Sequence, residues 1–143
     1  MPGQAHPSDL LAPRFPISIK GVVEIGGRVV LLRNARGEWE LPGGKLETSE
    51  RPDHCLEREI FEELHIRIEV TALLDVWVYN VLGKVDVFIV TFATRPIDAE
   101  ANVRLSDEHE EVGFFSYEDI AGLNMPAGYK ASIATYREGR RLL

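Results

Sequence analysis

Three acids, Glu59, Glu62 and Glu63, stand at positions i, i+3 and i+4 of a segment whose apolar residues Leu56, Ile60 and Leu64 recur every fourth place. The apolar spacing predicts a helix with one stripe in a core, and the three carboxylates then converge on another part of its surface, off the core face. Like charges so close repel by about 0.2–0.5 kcal/mol per pair even in water. Locally only Arg58 offsets these acids and Glu57. A divalent cation would remove the cost. Magnesium in particular is held by a few carboxylates and completes its sphere with waters and substrate phosphates, so such a cluster suits a phosphorylated ligand. Thr48 or Ser49 is placed to cap the start of the helix, and Pro52 falls in its first turn, where a missing N–H is tolerated.

A charged amphipathic helix alone leaves three features unexplained: the Gly43-Gly44 pair before it, the isolated Arg58 among the acids, and Glu50 within reach of that arginine. Read together, Gly44, Glu50, Arg58, Glu59, Ile60, Glu62, Glu63, His65 and Ile66 resemble the signature of the Nudix hydrolases, including its MutT-like members: Gly-x5-Glu-x7-Arg-Glu-U-x-Glu-Glu-x-Gly-U, with U a bulky aliphatic residue. The segment from Trp39 to Glu47 is similar to the usual lead-in. The one departure is His65 in place of the second glycine. In the family that glycine ends the helix in a left-handed conformation, which costs other residues about 1–2 kcal/mol. Histidine is one of the residues more often found there, so the helix is expected to end at this point all the same.

The resemblance implies an α/β protein of the Nudix fold, an α/β/α sandwich with a central mixed β-sheet. It implies a magnesium-dependent hydrolase, with manganese as the alternative ion, that cleaves a pyrophosphate bond in a nucleoside diphosphate linked to another moiety. Two alternatives stand beside it: a nucleoside triphosphate pyrophosphohydrolase of the kind that removes oxidised nucleotides, and a non-catalytic nucleotide sensor. A sensor is expected to have lost signature acids, and this chain keeps them all. By resemblance, Glu59 and Glu63 hold metal, Glu62 is a further ligand or orients a bound water, the Gly43 carbonyl completes the sphere, and Arg58 orients Glu59 while pairing with Glu50. The catalytic base comes from Glu62 or Glu59, or from the acidic run Ser106 to Glu111, where Glu111 and Glu108 are the candidates.

The formal net charge of −7 argues against binding a nucleic acid polymer or an anionic membrane. Cys55 is the single cysteine and forms no internal disulfide, and no apolar run reaches the length of a membrane span. These features predict a cytoplasmic protein, and the resemblance implies a nucleotide-type small molecule as its substrate, handled by a monomer or homodimer. Residues 1–16 carry four prolines and no hydrophobic core, which reads as a partly disordered leader before one domain over 17–143.

Ile17 to Ile25 and Val29 to Leu32 are predicted to form a buried antiparallel pair across Gly26-Gly27. Asn34 to Gly37 reads as a turn, Trp39 to Leu41 as a short strand, and Gly43-Gly44 as a loop. Arg67 to Tyr79 and Lys84 to Thr94 read as central strands joined at Leu82-Gly83, Pro96 to Asp107 as a surface loop, and Val112 to Ser116 as a strand. Tyr117 to Ala121 reads as a helical turn, and Tyr129 to Arg141 as a helix with Ile133 and Tyr136 facing inward. Substrate-binding residues are not singled out by spacing. Trp77, Tyr79, Phe88, Phe92, Phe114 and Phe115 sit on strands, where aromatics are mostly core, and the loop from Leu123 to Tyr129 is placed to border a pocket.

Overall fold

A computed structural model describes residues 3–98, 103 and 111–141. Its strands are β1 (Ile17–Val22), β2 (Glu24–Ile25), β3 (Arg28–Arg33), β4 (Trp39–Glu40), β5 (Gly43–Lys45), β6 (Ile68–Val81), β7 (Val85–Pro96) and β8 (Glu111–Phe115). Its helices are α1 (Pro52–Leu64), α2 (Tyr117–Ile120) and α3 (Ala127–Arg141). Ahead of β1, a single 3-10 turn at Pro7–Leu10 buries nothing.

Among the described residues the β layer consists of two four-stranded sheets. One is mixed, in the order β5-β1-β7-β6, with β1 parallel to β7 and the other pairs antiparallel; in the second, β3 is flanked by β2, β4 and β8. The run Ile17 to Ile25 therefore does not form one strand paired with β3. It breaks at Val23, and only β2 turns back on β3 through Gly26-Gly27, while β1 joins the other sheet. A hydrogen bond from Val30 N–H to the Val23 carbonyl (2.9 Å) stitches the two sheets at the break.

Alternation along β3 explains why its residues are apolar throughout. Val30 and Leu32 join a core with Leu56, Ile60 and Leu64 of α1, whereas Val29 and Leu31 join a second core with Ile120 of α2 and Ile133 of α3. Both sides of the β layer are thus covered, which makes the molecule an α/β/α sandwich. β7 is central as expected, but β6 is an edge strand, and Leu73, Val76 and Val78 along it are exposed.

Two further expectations change. Gly43–Lys45 is a strand paired with β1, not a loop, and Arg51 is the N-cap of α1, with no capping hydrogen bond from its side chain. Pro52 does take the first helical position, so the chain starts this helix by fixing φ rather than by a polar cap. At the far end His65 adopts φ 58° and ψ 32° and its N–H bonds the Phe61 carbonyl at 2.9 Å, closing the helix in the left-handed conformation.

Candidate functional site

Pairing of β5 with β1 brings the glycines against α1. Gly43 lies opposite Lys20 in the ladder and Gly44 opposite Ile19. Gly43 has φ +142°, and a Cβ there would run into the Ile19 carbonyl oxygen, so only glycine suits the position. At Gly44 a Cβ would overlap the Glu59 carboxylate, so the backbone lies where that side chain rests.

Each acid of the helix is held differently. Glu63, expected off the core face, is only 4% exposed, and its carboxylate accepts a hydrogen bond from Gly43 N–H at 3.0 Å. Burial is tolerable because a charge-assisted bond compensates it. Glu59 accepts from Arg58 Nη1 at 2.9 Å, and Glu62, at the exposed rim, accepts from the same nitrogen at 3.3 Å. Arg58 is gripped in turn by Glu50 through a two-pronged contact, Nε to Oε2 at 2.7 Å and Nη2 to Oε1 at 3.0 Å. The guanidinium holds the Glu50 carboxyl down at about 2, and the same pairing raises the arginine above its ordinary range. The pairing expected of Arg58 with Glu50 and Glu59 is therefore present.

These groups line a cleft of about 470 Å³ walled by Gly43, Gly44, Arg58, Glu59, Glu62 and Glu63. Among the described residues, no three or more His, Cys, Asp or Glu side chains are gathered tightly enough to hold a metal ion by themselves. The convergence expected of the three carboxylates is thus incomplete, since Arg58 sits between Glu59 and Glu62 while Glu63 turns toward Gly43. The donor set still fits a hard divalent cation that takes its remaining oxygens from water and phosphate.

Glu111 does not join this cleft. It opens β8 opposite Arg33 of β3 and forms an ion pair with it at 3.1 Å. Residues 104–110, including Glu108, lie outside the described residues. Cys55 is fully buried under α1, and desolvation pushes its thiol up to about 12, which removes it as a nucleophile at neutral pH.

A second, smaller pocket of about 130 Å³ adjoins the cleft and shares Ser18, Lys20 and Glu40 with it. Its walls include Val87 and Ile89 of β7, Tyr79 of β6, and Pro126 and Tyr129 from the loop and helix start that the sequence placed near a pocket. The Tyr79 hydroxyl donates to Glu38 at 2.8 Å, and Arg36 Nε donates to the same carboxylate at 3.0 Å. Burial opposes ionisation of Glu38, but the bonds from Tyr79, Arg36 and Asn34 prevail and lower its pKa. Of the other strand aromatics, Phe92 packs toward the α1 core and Phe115 stacks edge-on against Trp39 at 4.8 Å.

Lys20 was not singled out by sequence reasoning. Its signal was there, as the lone cation in the apolar run from Ile17 to Ile25. Burial favours its neutral form, but the Tyr129 hydroxyl and the carboxylates of Glu40, Glu63 and Glu59 together raise its pKa, so it stays an ammonium. Among the described residues no helix is long and apolar enough to cross a membrane.

The family model described as NUDIX domain matches residues 17–136. A MutT-like protein of Streptomyces ambofaciens is 34% identical over 111 residues, which are 76% of this chain and 69% of that protein. An 8-oxo-dGTP diphosphatase of Proteus vulgaris is 51% identical over 39 residues, 27% of this chain and 35% of that one. Among solved structures, the MutT protein of Methanosarcina mazei Go1 superposes with a TM-score of 0.74 at 27% identity, covering 87% of this chain and 95% of its own.

Proposed function

This chain belongs to the Nudix hydrolases, enzymes of nucleotide pyrophosphates that generally need a divalent metal, and from that premise we propose that it is a magnesium-dependent hydrolase of a nucleoside diphosphate linked to another moiety. The observation that carries the reading is the seating of two carboxylates on one wall of the cleft: Gly43 N–H fixes Glu63, and the Glu50–Arg58 clamp fixes Glu59. In this reading Glu59, Glu63 and Glu62, with the Gly43 carbonyl, hold the metal, and manganese can replace magnesium. When bound, the metal supplies charge neutralisation at the phosphates and a more acidic water.

The residues of the chain do the rest. Arg58 spends its donors on acids rather than on substrate, so it keeps Glu59 in one rotamer. Glu62, on the open rim, takes the proton of the attacking water as the water oxygen bonds to phosphorus. The bond from phosphorus to the bridging oxygen breaks, and the bridging oxygen leaves with the other phosphate. The products are a nucleotide and a phosphorylated partner. One organic moiety enters the side pocket, whose volume is well below the roughly 300–1,000 Å³ of a site for a whole ligand. The opposite end of the cleft is open at Glu47 and Glu62, whose side chains are 69% and 59% exposed, leaving room for a second moiety. Cys55, a buried free thiol, suits a reducing compartment, and a cytoplasmic location is part of the same reading.

A second reading, hydrolysis of a nucleoside triphosphate to monophosphate and pyrophosphate, is favoured by the names of the MutT-like and 8-oxo-dGTP diphosphatase relatives. Turnover of nucleotide sugars, dinucleoside polyphosphates, nucleoside triphosphates and 8-oxo-dGTP with magnesium, with products separated by chromatography, tests both. A phosphorylated partner supports the first reading and pyrophosphate the second. No turnover of any of them removes both.

A further inference from the structure

We propose that Lys20 is a substrate-binding residue whose ammonium takes a non-bridging oxygen of the phosphate attached to the moiety in the side pocket. This rests on the reading of the cleft as a nucleotide site and assigns the substrate's direction within it.

Position is the first argument. Lys20 is in the middle of β1, across from Gly43 on β5 and Thr91 on β7, and it is part of the wall of both cavities. An anion held there has the side pocket on one hand and Glu59 and Glu63 on the other. Unmet hydrogen bonding is the second argument. Lys20 is only 7% exposed, yet its ammonium makes no hydrogen bond among the described residues, and its ion pair with Glu40 Oε1 spans 3.9 Å. A lysine carries three N–H donors and no acceptor, and on the wall of the two cavities these donors face the space a ligand would fill. A lysine serving only as a counter-ion for buried acids would be expected to close to hydrogen-bond distance on one of them.

Among the neighbouring cations, Lys45 lines the cleft but not the side pocket, so it does not bridge the two cavities. Arg58 is occupied by Glu50, Glu59 and Glu62, and Arg36 by Glu38. A compact oxyanion with several acceptors at one centre satisfies a point-charge ammonium best, and phosphate has that form. Once the phosphate next to the buried moiety is on Lys20, the following phosphate falls in the acidic cleft. Lys20 thereby sets which end of a pyrophosphate substrate faces the helix acids.

Binding in EDTA isolates this contact from the metal. The variants are Lys20→Met, which keeps the unbranched stem without the charge, and Lys20→Arg. Calorimetric titration uses GMP against guanosine and AMP against adenosine. The wild-type protein is expected to prefer the monophosphate in at least one pair by about tenfold, the scale of one charge-assisted bond. Lys20→Met should lose that preference with nucleoside affinity unchanged, and Lys20→Arg should retain part of it. No preference in the wild-type protein, an undiminished preference in Lys20→Met, or equal weakening of both ligands overturns the proposal. Should Lys20→Met fail to fold, the ammonium resonance of Lys20 in 15N-labelled wild-type protein, assigned through Lys20→Arg, decides it. The resonance should shift with the monophosphates and not with the nucleosides, and a resonance indifferent to the monophosphates refutes the contact. Failure of the hydrolase reading shows elsewhere, as absence of magnesium-dependent turnover by the wild-type protein.

Discussion

Gly43 and Gly44 are chain neighbours, yet alanine should act on them in opposite ways. At Gly44 the backbone has an ordinary negative or extended φ, and the three atoms nearest a new Cβ all belong to the far end of the flexible Glu59 side chain. The carboxylate must therefore move by about 1 Å or more, and a displacement of that size in a reacting assembly costs roughly 100-fold in rate. Stability should change by less than about 1 kcal/mol, because alanine gains about 0.4–1 kcal/mol from the unfolded chain while the part-buried Arg58–Glu59 bond, worth about 1, is weakened. At Gly43 the obstacle is the Ile19 carbonyl in the buried strand β1, together with φ +142°. Strain of about 1–3 kcal/mol plus distortion of β1 should make Gly43→Ala lose at least about 2 kcal/mol. The assay is kcat/KM on a substrate that the wild-type protein turns over, alongside urea denaturation of both variants. Gly44→Ala within threefold of wild-type activity would refute the placement of Glu59 against this backbone. Equal destabilisation of the two variants would refute the distinction between a yielding side chain and an unyielding backbone.

Glu63→Gln still accepts from Gly43 N–H, so the fold should survive while turnover falls at least about 100-fold through loss of a charged ligand; activity within a few-fold of wild type would discard Glu63 as a metal ligand. Glu62→Gln should lose about 100-fold or more if Glu62 is the base, and Glu111→Gln, paired with Arg33 outside the cleft, should stay near wild type; the reverse result would move the base to β8. Glu50, held at about 2 in the folded protein against 4.5 for the free group, contributes stability that is fully present above pH 4.5 and is lost as pH falls toward 2. Urea midpoints between pH 2 and 5 should accordingly fall less steeply in Glu50→Gln than in wild type, and parallel curves would contradict the Arg58 clamp. His65→Gly relieves a left-handed histidine and should stabilise by up to about 1 kcal/mol, net of the extra freedom of glycine when unfolded. A loss of stability on denaturant titration would mean that the ring contact with Phe61, at 6.3 Å between centroids, matters more than backbone strain.

Local spacing carried much of this molecule. Leu56, Ile60 and Leu64 announced α1 by a four-residue interval, Gly26-Gly27 announced the β2–β3 turn, and Leu82-Gly83 the β6–β7 hairpin, because each depends on backbone preferences acting over a few residues. The association of Arg58 with Glu50 was legible for the same reason, since both belong to one segment with a helix at its end. Strand partnership was not. The split at Val23 between two sheets depends on which distant strand supplies the ladder, and β7 lies more than sixty residues beyond β1.

The site divides along the same line. By itself the sequence determined the acids of α1, the arginine among them, the glycines before them and the left-handed ending at His65, all readable because helix geometry turns intervals into neighbours. Only the tertiary structure decided that Glu63 is buried on Gly43, that Glu111 is drawn to Arg33 instead of the cleft, and that Lys20 stands between two cavities with no hydrogen bond among the described residues. The physical reason is that burial and partnership belong to surfaces made by packing. Lys20 owes its surroundings to β5, α1 and the start of α3, and no interval along β1 records where those elements come to rest.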